Sequence, residues 1–175
     1  MVIAKIDACS LIWIVKTELF PIFHQMYEKI IITEEVQRET VENGLLKGFS
    51  DAKVIQTKIH NHEIEVTSVK TLIPMDLGQG EIEIISDAIE ELKTQKSVVF
   101  LSQDKKAKQL AKKYQIYTQG IEVSIAEAAL KGIISETMFF QKLQELSIKY
   151  LIPNERIMEI QKFYLENRGD INGIK

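Results

Sequence analysis

Apolar residues gather in three short runs, Val2–Ile6, Ile30–Ile32 and Val98–Leu101. Each is too brief for a helix and suits a strand buried on both faces. Between the runs the apolar spacing changes to three and four. Leu11, Ile14 and Val15 share one side of a helix that Ser10 is placed to cap. Thr33 is placed to cap a second helix reaching about Val41, with Glu34 and Glu35 favoured by the positive end of its dipole. Gly44 and Gly48 punctuate the loop expected next, and Ala52, Ile55 and Ile59 mark a helix over 51–60. A short strand is expected at Ile64 and Val66. After Pro74 and Gly78 comes a helix from about Gln79 to Leu92. Ala107, Leu110, Ala111 and Tyr114 form the stripe of a helix over Asp104–Tyr114. A short strand at Ile116–Tyr117 and a helix from about Ile121 to Leu130, stopped by Gly132, follow. Two last helices are predicted at 137–149 and 154–167, the second capped by Asn154. This alternation predicts an α/β fold, a mostly parallel sheet with helices on both faces.

A chain of 175 residues with 45% hydrophobic and 27% charged residues fits a single globular domain. The net charge of -3 gives no overall pull toward nucleic acid, so a polyanion site has to be a local basic patch. A single cysteine, Cys9, excludes an internal disulfide and a thiolate zinc cage. Cys9 is expected to be a small buried residue, and Trp13, Phe20 and Phe23 to serve the core. The opening MVIAKID lacks the apolar run of a signal peptide, and no stretch reaches membrane-spanning length, so an intracellular, cytoplasmic protein is expected.

Four acids stand at the mouths of predicted strand–helix joints: Asp7, Glu39, Glu81 and Asp104. In open α/β sheets, ligands bind beyond the carboxyl ends of strands. Each acid also has an ordinary reading. Asp7 suits a turn, its side chain bonding nearby backbone. Glu39, three residues after Val36, either shares the inward side of its helix or sits on a solvated, highly charged face. Glu81 lies on the stripe of Ile84, Ile85 and Ala88, which asks for an arginine partner, a water-exposed helix end or a metal. Glu83, Asp87 and Glu90 form a separate stripe expected to face solvent. Asp104 is an N-cap, unless Ser102 caps and leaves it free. Clustered carboxylates repel unless cations hold them, so convergence of the four would imply a metal-dependent site.

Four segments resemble the PIN-domain family of metal-dependent ribonucleases, in particular its VapC-like toxin branch. IDACSLI is similar to the family's opening strand with its acid, Asp7. ITEEVQRETV resembles the second motif, with Val36 and Glu39. LGQGEIEII resembles the Gly-Glu motif, with Gly80 and Glu81. FLSQDKKAKQLAKKYQI resembles the last acidic motif, where Ser102 precedes Asp104 by two positions. YTQGIEVSIAEAALKGII looks like the family's late helix and glycine turn. The resemblance implies a three-layer α/β/α core over 1–135, with 136–175 as a C-terminal helical extension. Gln103 stands where relatives often carry a second acid, and Lys108 where an arginine is frequent.

The resemblance implies hydrolysis of RNA phosphodiesters, leaving a 5′-phosphate. Carboxylates without His or Cys suit Mg²⁺ or Mn²⁺. Asp7 and Asp104 would be the main ligands, with Glu39 and Glu81 completing the site directly or through water. Ser102, Lys105, Lys106 and Lys108 are the expected RNA contacts, although lysines also decorate the solvent face of any amphipathic helix. A toxin of this kind implies a small antitoxin partner, and the late helices, with Phe139, Phe140, Leu143 and Leu146, offer apolar surface for it or for a second copy, packing on their own domain being the default. A non-cleaving RNA- or protein-binding module and a DNA-directed nuclease are the alternatives. His60 and His62, with Glu63 beside them, read as a solvated loop rather than a zinc site.

Overall fold

The apolar runs become the middle of the sheet. The computed structural model describes residues 2–169 apart from Thr71, Met75 and Gln95. Its strands are β1 (Val2–Ile6), β2 (Lys29–Thr33), β3 (Glu65–Thr67), β4 (Ser97–Leu101) and β5 (Tyr117–Gln119), in the spatial order β3-β2-β1-β4-β5. Every pairing is parallel. β1, β2 and β4 are each buried at all but their first residue, as strands covered on both faces must be.

The helices are α1 (Ala8–Lys16), α2 (Phe20–Met26), α3 (Glu34–Gln37), α4 (Asn43–Leu46), α5 (Ser50–His60), α6 (Gln79–Lys93), α7 (Lys105–Lys113), α8 (Ile121–Leu130), α9 (Glu136–Tyr150) and α10 (Asn154–Asn167). Alternate strand residues sort them into two layers. Ala4, Ile6, Ile32 and Leu101 join Leu11 and Ile14 of α1, Ile55 of α5, Ile125 of α8 and Phe139 of α9 in the larger core. Val98 and Phe100 point the other way, onto Ile84, Ile85 and Ala88 of α6 and Ala107 and Ala111 of α7. The result is the expected three-layer α/β/α arrangement. Each buried Ile, Leu or Phe contributes roughly 1.5–3 kcal/mol, so the two apolar layers hold the helices to the sheet. Residues 136–169 add Leu143, Leu146, Ile160 and Tyr164 to the larger core, while 170–175 of the expected extension lie outside the described residues. No helix among the described residues is long and apolar enough to cross a membrane.

Several local expectations are corrected. Asp7, not Ser10, caps α1: its Oδ1 accepts the Ser10 N–H at 2.7 Å. Residues 20–26 form a helix with Pro21 in its first turn, where a missing N–H is harmless. Gly44 is helical rather than looped. A Cβ there would stand 2.7 Å from that of Ala52, so its smallness lets α4 lie against α5. The helix begun by Thr33 does not stay regular. Between α3 and α4 it widens into a π-helical turn, Arg38–Glu42.

The largest correction concerns α6. Asp87 does not face solvent; it forms an ion pair with Lys5 and accepts the Thr67 hydroxyl at 3.0 Å. Lys5 lies mid-strand in β1 and is fully buried, with Glu91 Oε2 also 3.7 Å from its Nζ. A buried ammonium needs such partners, and the pairing ties α6 to the sheet's central strand. Glu83 is occupied too, its Oε2 accepting the Glu35 N–H at 3.3 Å across to α3.

Candidate active site

The chain builds the sheet outward from β1 through β2 to β3, then crosses to the other side of β1 for β4 and β5. The strand order therefore reverses between β1 and β4, and a crevice opens beyond their carboxyl ends at such a point. Asp7 and Asp104 flank it, just past the paired residues Ile6 and Leu101.

Asp7 is almost wholly buried at 4% exposure. Burial pushes its carboxyl above the ordinary aspartate range, against the pull of the Ser102 hydroxyl and the Ser10 N–H, and the charge of Glu81 pushes it further. Asp104 is exposed and caps α7, its Oδ1 accepting the Ala107 N–H at 2.6 Å. Ser102 ties the pair together. It is fully buried, and its Oγ accepts the Asp104 N–H at 3.0 Å while lying beside Asp7. Its side chain, expected among the RNA contacts, has no exposed surface here and lies between the two acids.

Glu39 comes from the π-helical turn. Wide turns of this kind re-aim side chains and recur at functional sites. Its half-buried carboxylate lies against α6, where a Cβ on Gly80 would stand 3.4 Å from both its oxygens. Burial raises its pKa, and the charges of Glu35, Glu81 and Asp7 add to the effect. Glu81, in the first turn of α6, folds back so that its Oε2 occupies the space a Cβ on Gly78 would need.

The four acids act on one common neighbour. Cys9 is exposed on the first turn of α1, contrary to the buried role expected of it. Partial enclosure of its sulfur raises the thiol pKa, and Asp7, Glu81, Glu39 and Asp104 each push it higher. Cys9 is therefore expected to react with iodoacetamide more slowly than a free thiol near neutral pH, and Glu81→Gln to speed it. Equal rates in the two proteins would show that these charges do not meet at Cys9.

None of the four acids forms an ion pair among the described residues. The donor chemistry, carboxylate oxygen alone, fits a hard divalent cation. Their present rotamers do not close a cage: among the described residues, no three His, Cys, Asp or Glu groups stand where they could share one ion. Asp7 and Asp104 each turn an oxygen to a backbone N–H of its own helix, and Glu81 lies back along Gly78.

The expected basic contacts divide three ways. Lys105 is exposed, Lys106 is paired to Asp76 at 2.6 Å, and Lys108 is half-buried. Burial lowers the Lys108 pKa, while Glu122 and Asp7 push it back up, so it stands within the field of the acidic rim. Glu122 escaped the sequence reading. It is 3% exposed and folded against Gly120; its Oε1 accepts from Arg156 at 3.0 and 3.1 Å, and its Oε2 from Gln103 at 3.0 Å. The available signal was an acid in the first turn of the apolar stretch Ile121–Leu130, two residues after a glycine.

A family model described as a PIN domain (DUF3368) matches residues 2–162. Among solved structures, a PilT N-terminus domain protein from the hyperthermophilic archaeon Sulfolobus solfataricus P2 is similar at 20% identity and a TM-score of 0.49. The match covers 73% of this chain and 93% of that one. No curated protein matches the sequence.

Proposed function

Because the chain belongs to the PIN-domain family, whose members are generally nucleases, we propose that it is a metal-dependent endoribonuclease, the toxin of a toxin–antitoxin pair acting in the cytoplasm. One observation carries the reading: four carboxylates from four separate segments share one rim of the sheet, and none has a cationic partner among the described residues. Asp7 and Asp104 are the main ligands for Mg²⁺ or Mn²⁺, with Glu39 and Glu81 completing the site directly or through water. The ion, when bound, lowers the pKa of a water molecule and stabilises charge on the phosphodiester oxygens. Ser102 holds Asp7 and Asp104 in register. Lys105 and Lys108 face the phosphate backbone, and Lys106 joins them on leaving Asp76. The partner is a small antitoxin that covers the rim.

The open arrangement of the carboxylates favours a second reading, an RNA- or protein-binding module that does not cut. Incubation with a mixture of RNAs separates the two. Cleavage is expected with Mn²⁺ or Mg²⁺, is lost in EDTA and returns with excess Mn²⁺. Cleavage that persists undiminished in EDTA would sink the metal-dependent reading, and RNA binding with no cleavage under any condition would select the second.

A further inference from the structure

Beside the acidic rim lies a cavity of about 600 Å³ that the four acids do not line. Its volume is in the range of small-molecule sites. One wall is apolar and aromatic. Trp13 of α1 stacks on Tyr150 of α9 with ring centroids 3.8 Å apart and planes at 17°, and Ile152 continues the surface. The segment that opens α7 adds Gln103, Lys105 and Lys108 to the lining. Gln103 and Lys105 bracket Asp104 in sequence, and Lys108 lies in the field of Asp7, so the cavity adjoins the proposed cleavage site.

The lining carries three cations, Lys105, Lys108 and Arg156, against three acids, Glu122, Glu155 and Glu159, but they are not evenly paired. Arg156 is committed to Glu122 and Glu159. Lys105 and Lys108 have no ion-pair partner among the described residues, and the remaining acid, Glu155, is exposed. Two unpaired ammonium groups and an aromatic surface thus line one nucleotide-sized space. A phosphate suits the first and a base the second, because stacking on an aromatic face tolerates any base and cations hold the backbone.

Resting on the nuclease reading, we infer that this cavity binds one unpaired nucleotide of the RNA next to the scissile phosphate. Its phosphate lies on Lys105 and Lys108, and its base lies against the Trp13–Tyr150–Ile152 wall. A base held in a duplex cannot enter, so the cavity selects single-stranded RNA. The wall from Tyr150 to Arg156 belongs to the C-terminal helices, which gives them a part in substrate recognition.

Trp13 is the sole tryptophan of the chain, so its fluorescence reports directly on the cavity. Titration of the full chain with an oligoadenylate trimer in EDTA reads binding apart from cleavage. Saturable quenching is expected, and a blunt RNA duplex should give none. Lys105→Gln/Lys108→Gln should weaken the trimer at least about ten-fold and flatten the dependence on salt. Absence of saturable quenching, or quenching that the double variant leaves unchanged, overturns the proposal. Cleavage in Mn²⁺ without quenching removes this site and spares the nuclease assignment. Quenching that follows the lysines in a protein that never cleaves keeps the site and removes the nuclease.

Discussion

Asp7→Asn is expected to reduce RNA cleavage by about 10³-fold or more, the scale seen when a group central to transition-state stabilisation is removed. It should also raise thermal stability at neutral pH. The two effects share a cause. The Asp7 carboxyl is buried, and its pKa is raised first by that burial and then by the charge of Glu81. The folded state therefore binds the proton more tightly than the unfolded chain does. Stability falls as pH rises from the ordinary aspartate range through the folded pKa, and the whole penalty is present above it. Asn carries no charge and keeps an oxygen for the Ser10 N–H, so the cap on α1 survives. Each kcal/mol relieved corresponds to about 2–4 °C in a chain of this size. The gain should shrink as pH is lowered into the aspartate range. Calorimetry across pH, beside a cleavage assay, checks both halves; a variant that cleaves normally, or melts lower at neutral pH, contradicts this account.

Lys5→Met should destabilise the fold by about 3–5 kcal/mol, because it strands Asp87 without its cation in a largely enclosed site. The informative comparison is Lys5→Met/Asp87→Leu. Replacing a buried pair by apolar groups is often neutral, so the double variant should regain most of the loss. Urea denaturation of wild type and both variants measures this. A double variant as unstable as the single one would place the energy elsewhere than in the uncompensated charge.

These cases show what the sequence makes legible. Short-range pattern located every strand and most helices, because buried strands and amphipathic helices write their periods locally. The Thr33 cap, the Gly132 stop, where φ is +70°, and the helix of Glu81 are all such features. The positions of the four acids at strand–helix joints were legible for the same reason. Pairings across the fold were not. Lys5 and Asp87 are 82 residues apart, and nothing local to Asp87 distinguishes it from Glu90, which is exposed. The π-helical turn under Glu39 depends on how α3 and α4 meet α6 and α5, and Arg38–Glu42 carries no glycine or proline to announce it. Gly44 reads as a loop residue until Ala52 is seen against it. The wall formed by Trp13 and Tyr150 joins residues from opposite ends of the chain.

The outermost strands, β3 and β5, are also the shortest, at three residues each against five for the inner strands. A margin that short presents few unsatisfied amides and carbonyls to a neighbouring molecule, which guards against runaway ribbon-like aggregation. Contacts between copies are thereby steered to the helical flanks, where side-chain fit rather than generic backbone pairing decides which contacts last.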